Sequence, residues 1–267
     1  MNRNAPIGVF DSGLGGLTAL RQLQKDLPNE NFIYFGDTAR VPYGGREKET
    51  LRHFAQTDIA LLRSFGVKAI LVACGTLSSV LLEEIKEEYD IPLVGVVKSA
   101  AFAAAEAGKK VAIWGTAASI GSGAYAKEVE KWGCAAVAAV PCPKLVPLIE
   151  GGHIAADDPD TKAAIAEYLA PVLAANADVL ILGCTHYPLL EQTIKAQAPQ
   201  GLTLVNSGKE SVRALRETLA EQDLLRTAGE GHTRYLVSGD AAAFAKQGSL
   251  FMGEDLSGKV EHADAGK

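Results

Sequence analysis

Two cysteines in matching sequence contexts carry the chemistry this chain could do. Residues 179–188 read V-L-I-L-G-C-T-H-Y-P, four apolar residues leading through Gly183 into Cys184, Thr185, His186 and Tyr187. So short and continuous an apolar run suits a strand buried on both faces of a parallel sheet. Groups just past the carboxyl end of such a strand sit where open α/β folds bind their ligands. A thiol two residues from an imidazole offers a thiolate together with a proton partner. One cysteine alone is more often an inert, buried small hydrophobe. Far upstream, however, residues 68–73 (K-A-I-L-V-A) run in the same way into Cys74, Gly75 and Thr76.

Two strand-end thiols brought face to face admit three readings. A disulfide is disfavoured by a reducing compartment and by the placement of the thiols in separate halves. A metal site would have Cys74, Cys184 and His186 as ligands, without the paired spacing that marks zinc. The third reading is two-base proton transfer at one carbon: one thiolate removes a proton from one face and the opposite thiol delivers a proton to the other. Such a carbon acid, the α-carbon of an amino acid for instance, needs donors that stabilise the developing carbanion and thiols whose protonation suits the working pH. The helix starts after each cysteine, with Thr76, Thr185 and backbone amides, could grip a carboxylate. Asp11 and Asp37, each just past an earlier strand, could hold an ammonium group or receive a thiol proton. His186 could serve Cys184 in that way, and Glu150 could orient His186. The plain alternatives are a helix cap for Asp11 and loop hydrogen bonds for Asp37 and Glu150.

The elements that would position these groups alternate along the chain. Strand 7–10 runs into D-S-G-L-G-G-L at 11–17, and a helix follows with Leu17, Leu20, Leu23 and Leu27 on one face before Pro28. The G-x-G-G spacing is not a dinucleotide fingerprint. Strand 31–35 leads to Asp37 and the turn Pro42-Tyr43-Gly44-Gly45, then helix 47–65, strand 68–73, helix 79–89 and strand 92–97. The pattern then restarts. Strand 110–114, a helix through Trp132, strand 135–140, segment 146–152 with Glu150, helix 160–175 and strand 179–182 repeat the order of the first half. Strand 202–205, helix 209–222, strand 233–237, a short helix at 241–247 and a fraying polar end complete the chain. The expected fold is α/β: two pseudo-symmetric parallel-sheet domains with the active site at their interface. Residues 1–97 plus 206–267 would form a discontinuous first domain and 98–205 the second.

Composition narrows the function. The 48% hydrophobic content is ample for a core, and the net charge of −6 argues against a nucleic-acid surface, which would call for a basic face. No apolar run reaches membrane-spanning length and the first residues lack an apolar leader, so a cytoplasmic protein free of membrane is expected.

D-S-G-L-G-G-L at 11–17, Asp37 with Pro42-Tyr43-Gly44, Cys74-x-Thr76, Glu150-Gly151 and G-C-T-H-Y-P at 183–188 together resemble glutamate racemase, in order over almost the whole chain. The resemblance implies cofactor-independent conversion of L- to D-glutamate for bacterial peptidoglycan, no metal, and a homodimer. It implies that Cys74, assisted by Asp11, acts on the D-enantiomer, and that Cys184, assisted by His186, acts on the L-enantiomer. Asp11, Ser12, Tyr43, Gly44, Gly75, Thr76, Thr185 and His186 would contact substrate. Family members commonly read C-N-T-A-S where this chain reads Cys74-Gly75-Thr76-Leu77-Ser78, so a backbone amide or a water would replace a side-chain amide. They also commonly carry V-D-S where this chain has Asn206. An aspartate or broader amino-acid racemase, and a non-catalytic amino-acid-binding module, are the alternatives.

Overall fold

The computed structural model describes residues 2–266. Its ten strands are β1 (Ile7–Asp11), β2 (Phe32–Gly36), β3 (Ala69–Val72), β4 (Leu93–Gly95), β5 (Lys110–Gly115), β6 (Ala135–Pro141), β7 (Val179–Leu182), β8 (Thr203–Asn206), β9 (Thr233–Val237) and β10 (Val260–His262). They form a six-stranded sheet ordered β10-β9-β2-β1-β3-β4 and a four-stranded sheet ordered β6-β5-β7-β8. Every recorded pairing is parallel. The apolar runs of β1, β3 and β7 are buried along their whole length, as expected of strands covered on both faces.

The order β2-β1-β3-β4 in one sheet recurs as β6-β5-β7-β8 in the other. Register makes the equivalence specific. Phe10 pairs with Val72 and Trp114 with Leu182, so Cys74 and Cys184 each lie two residues beyond the last paired residue of equivalent strands. The helices Val96–Ala107 and Ser207–Glu221, which follow β4 and β8, pack against each other. Each also crosses over, the first onto β7 and β8 and the second onto β3 and β4. This exchange holds the carboxyl ends of the two sheets together. Asn206 caps the second of these helices, its Oδ1 accepting from Lys209 N at 3.0 Å, as an aspartate there would.

Four local expectations change. The helix expected through Trp132 is two, Ala117–Gly121 and Ala124–Lys131, parted at Gly123 with its positive φ. The helix expected at 79–89 begins at Gly75, directly after Cys74, and breaks at Leu81 into shorter turns ending at Glu88. The strand expected to reach Val97 stops at Gly95, because Val96 and Val97 are the buried first turn of Val96–Ala107. Tertiary packing there outweighs the strand preference of two β-branched residues. Finally, the carboxyl end does not fray over the described residues. Residues 260–262 pair with β9, Ala263 N donates to Val237 O, and Ala265 is buried. Lys267, also in that expected end, lies outside the described residues.

A buried ion pair ties four distant segments at the amino-terminal end of the first sheet. Lys68 Nζ donates to Glu30 Oε2 at 2.6 Å and to the carbonyls of Arg3 and Leu224, while Glu30 Oε1 accepts from Arg226 N. Both side chains are essentially sealed from solvent. Removing one partner of such a pair strands a charge in the interior and costs about 3–5 kcal/mol. Urea unfolding of Glu30→Gln is therefore expected to show a loss of that order. The double variant Glu30→Leu/Lys68→Met removes the stranded charge but leaves the carbonyls of Arg3 and Leu224 and the N–H of Arg226 without these partners, so it should recover only part of the loss.

Candidate active site

The carboxyl ends of the two sheets enclose a cavity of about 800 Å³. Cys74, Gly75 and Thr76 line it from one side, Cys184, Thr185 and His186 from the other. The two loops are nearly in contact: a Cβ built on Gly75 would lie 3.0 Å from Gly183 O and 3.9 Å from Cys184 Cα. A second close approach involves the D-S-G-L-G-G-L loop. A Cβ on Gly15 would lie 2.2 Å from Thr185 Oγ1 and 2.5 Å from His186 Nδ1, so the loop carrying His186 crosses where only glycine leaves room. The Thr18 hydroxyl, 2.7 Å from Thr185 O, fastens the crossing.

The two thiols have different neighbours. Cys184 Sγ lies 3.7 Å from His186 Nδ1, and His186 Nε2 lies 2.9 Å from Glu150 Oε1. Burial alone would lower the His186 pKa, but its bonds to Cys184 and Glu150 and the charges of Cys184 and Asp11 raise it to about 10. Cys74 has no imidazole. Its thiol donates to Ser12 Oγ at 3.7 Å, and burial, then the Asp11 carboxylate, push it up to about 12. Asp11 accepts from Gly13 N at 3.1 Å and does not cap the following helix, whose N-cap is Gly16. Burial raises the Asp11 pKa, against the opposing pull of His186 and nearby backbone amides.

Of the residues expected at the site, Asp11, Ser12, Tyr43, Gly44, Cys74, Gly75, Thr76, Glu150, Cys184, Thr185 and His186 all line this cavity. Asp37 does not. Its Oδ1 accepts from Ser238 Oγ at 2.7 Å, and its Oδ2 accepts from Arg40 Nε at 2.6 Å and from the Tyr43 hydroxyl, so it is engaged behind the cavity wall. Tyr43 consequently turns its hydroxyl away from the cavity. Thr116, Ala117, Ala118 and Cys142 also line the cavity, although they were not expected there. The signal for Thr116 was available in the resemblance of G-T-A-A-S-I-G-S-G to D-S-G-L-G-G-L: register makes Thr116 the counterpart of Ser12. Its hydroxyl caps Ser119 N and lies 3.5 Å from Thr76 Oγ1. The cavity lining contains no lysine or arginine among the described residues, so a bound carboxylate would meet hydroxyls, backbone amides and His186. Among the described residues, donors clustered closely enough for a metal ion occur at His153, Asp158 and Asp160, away from the cavity. There Asp158 already caps Thr161 N and bonds His153.

A family model described as Asp/Glu/Hydantoin racemase matches residues 18–215. A glutamate racemase from Thermus thermophilus is 45% identical over 258 residues, 96% of this chain and 94% of that protein. The crystal structure of a Thermus thermophilus glutamate racemase in complex with β-chloro-D-alanine superimposes with a TM-score of 0.89 at 41% identity, covering 99% of this chain and 98% of that one. A Francisella tularensis glutamate racemase in complex with D-glutamate gives a TM-score of 0.86 at 33% identity, over 97% and 96%. The chain belongs to the Asp/Glu/Hydantoin racemase family and, within it, to the glutamate racemases.

Proposed function

We propose that this chain interconverts L- and D-glutamate without a cofactor, by proton transfer between two thiols and the α-carbon. The observation that carries the reading is a single cavity bounded by equivalent strand-end cysteines on abutting loops. Relatives at this level of identity are named glutamate racemases, and one solved relative holds D-glutamate.

In the L-to-D direction Cys184, as thiolate, takes the α-proton. The electron pair left on the carbon is delocalised into the α-carboxylate, and the Cys74 thiol delivers its proton to the opposite face. Cys184 ends protonated and Cys74 ends as thiolate; the reverse reaction runs with the thiols exchanged. His186, oriented by Glu150, takes and returns the Cys184 proton, and Asp11 does the same for Cys74. Ser12, Thr76, Thr185 and the backbone at Tyr43, Gly44 and Gly75 hold the substrate, with donors placed where carboxylate charge grows. Asp37 acts indirectly, by fixing Tyr43. The product would serve bacterial cell-wall synthesis, and the protein would be a cytoplasmic homodimer of chains each divided into 1–97 with 206–267 and 98–205.

Gly75 favours a second reading, an aspartate or broader amino-acid racemase, because no side-chain amide projects into the cavity there. Incubation in D₂O separates the two. L-Glutamate should lose optical rotation and gain α-deuterium well ahead of L-aspartate, without added pyridoxal phosphate; the opposite order would favour the broader enzyme.

Cys74→Ser and Cys184→Ser should each lower racemisation at least about a hundredfold, since each removes one of the two proton-transfer groups. Each should still eliminate from an amino acid with a β-leaving group when given the matching enantiomer. Wild-type racemisation by either variant would remove that cysteine from the mechanism. Gly15→Ala pushes against Thr185 and His186, and a misplacement of about 1 Å should cost about a hundredfold in kcat. Steady-state kinetics beside circular dichroism would separate that loss from unfolding.

A further inference from the structure

Behind the cavity wall, two buried carboxyl groups meet one phenol. The Tyr43 hydroxyl is within hydrogen-bond distance of Asp37 Oδ2 and, at 3.0 Å, of Asp58 Oδ2. A phenol has one hydrogen to give. The second carboxyl oxygen must therefore bring its own hydrogen, or face the phenol oxygen as an unpaired acceptor in a dry interior. Asp37 already accepts from Arg40, Tyr43 and Ser238, so the missing hydrogen falls to Asp58. Charge leads to the same assignment. The single guanidinium of Arg40 serves both carboxyl groups, whose side chains are fully buried, and only one protonated acid leaves the cluster neutral.

The cluster sits at the root of a strap. Residues 38–45 leave β2, and Thr38, Val41, Pro42, Tyr43, Gly44 and Gly45 line the cavity. Tyr43 is the buried member of this otherwise largely exposed segment. At its root the strap is tied by Arg40 N to Asp37 O, Ala39 N to Ser238 Oγ, and the Arg40 guanidinium to Thr57 Oγ1 and over the Phe54 ring. Farther along, Arg46 bonds the carbonyls of Pro42 and Tyr43, and the Tyr43 ring packs on Phe54.

We propose that Asp58, on the helix Lys48–Ser64, is a positioning residue that carries a proton at neutral pH and, through Tyr43, holds the 38–45 strap against the substrate cavity. Loss of that proton loosens the strap and weakens substrate binding. The groups that titrate or carry charge around Asp58 are Asp37 and Arg40 at the strap's root, Tyr43 in the strap, and Cys74, whose charge reaches Tyr43 from the cavity side. Ser238 and Thr57 add only hydroxyls. Burial, then the Asp37 charge, raises the Asp58 pKa to about 8, against the pull of Arg40 and Tyr43, so the change falls on the alkaline side of neutrality. Asparagine reproduces the protonated acid: its amide nitrogen can donate to the Tyr43 oxygen while its carbonyl accepts from Arg40.

The kinetic part of this inference rests on the racemase reading, whereas the motion of the strap does not, so the test has two readouts. Hydrogen exchange, corrected for intrinsic rates, is measured over residues 38–46 in the wild type, Asp58→Asn and Asp58→Ala. For a strap about nine-tenths closed at about pH 7 and about one-tenth closed at about pH 9.5, wild-type protection falls and KM rises, each about tenfold. Asp58→Asn should keep its strap protection at both pH values and show no such rise in KM relative to wild type. Asp58→Ala should be loose at both, with protection elsewhere as the control for folding. Equal pH dependence of strap exchange in wild type and Asp58→Asn would overturn the proposal even if both proteins racemise glutamate. Absence of racemisation in both, with the exchange difference intact, would sink the functional reading and leave the strap mechanism standing.

Discussion

The structure depends on a near-collision at the pseudo-two-fold axis. Two loops, each leaving the end of an equivalent strand, approach until Gly75 meets Gly183 and Gly15 meets Thr185 and His186. Side chains at these points would force the halves apart, and the cysteines with them. The exchanged helices Val96–Ala107 and Ser207–Glu221 brace this approach from behind, since each packs on the opposite sheet. The cavity is therefore a product of how the halves dock, and neither half encloses it alone.

Duplication supplies the symmetry, and the loops depart from it. Register makes Ser12 the counterpart of Thr116, and Asp37 the counterpart of Cys142. The loop after β2 forms the strap and sends Tyr43 back into a charged cluster. Its counterpart after β6 leads instead to the helix Leu145–Glu150, whose last residue reaches His186. Equivalent connections thus became a wall for one side of the cavity and, on the other, the carboxylate that meets His186 beside Cys184. The two enantiomers of a substrate would present their α-protons to unlike acid–base neighbourhoods, an imidazole and carboxylate on one side and a hydroxyl and carboxylate on the other.

Much of this was legible in the sequence because strand-end chemistry leaves a local mark. The apolar runs before Cys74 and Cys184 gave both strands and their equivalence, and the spacing from Cys184 to His186 gave one thiol its partner. What escaped was set by distant packing. Nothing near Val96 and Val97 says that a strand has ended, because the helix they begin is fixed by the other sheet. The role of Asp37 was hidden for a related reason. An aspartate after a strand reads as a ligand-binding group, yet Arg40, Tyr43 and Ser238, the last from just past β9 far along the chain, take up its oxygens. Asp58 carried no local signal at all: a single acid on the buried stripe of an amphipathic helix gains meaning only when Arg40 and Tyr43 are seen above it.

The buried acids and thiols also set how the fold responds to pH. Asp58, with a folded-state pKa of about 8, keeps a proton that the unfolded chain releases near the ordinary carboxylate value, so its contribution to stability declines from about pH 4 to about pH 8. His186, raised from 6.5 to about 10, stabilises the fold fully below its ordinary value and progressively less as pH climbs to about 10. Cys74, raised from 9 to about 12, continues the same trend above that. In each window the folded state binds the extra proton, so the three effects share one sign and cannot offset one another. The fold is thereby most secure on the acid side of these transitions, and the strap's anchor and the imidazolium of His186 both weaken as the solution turns alkaline.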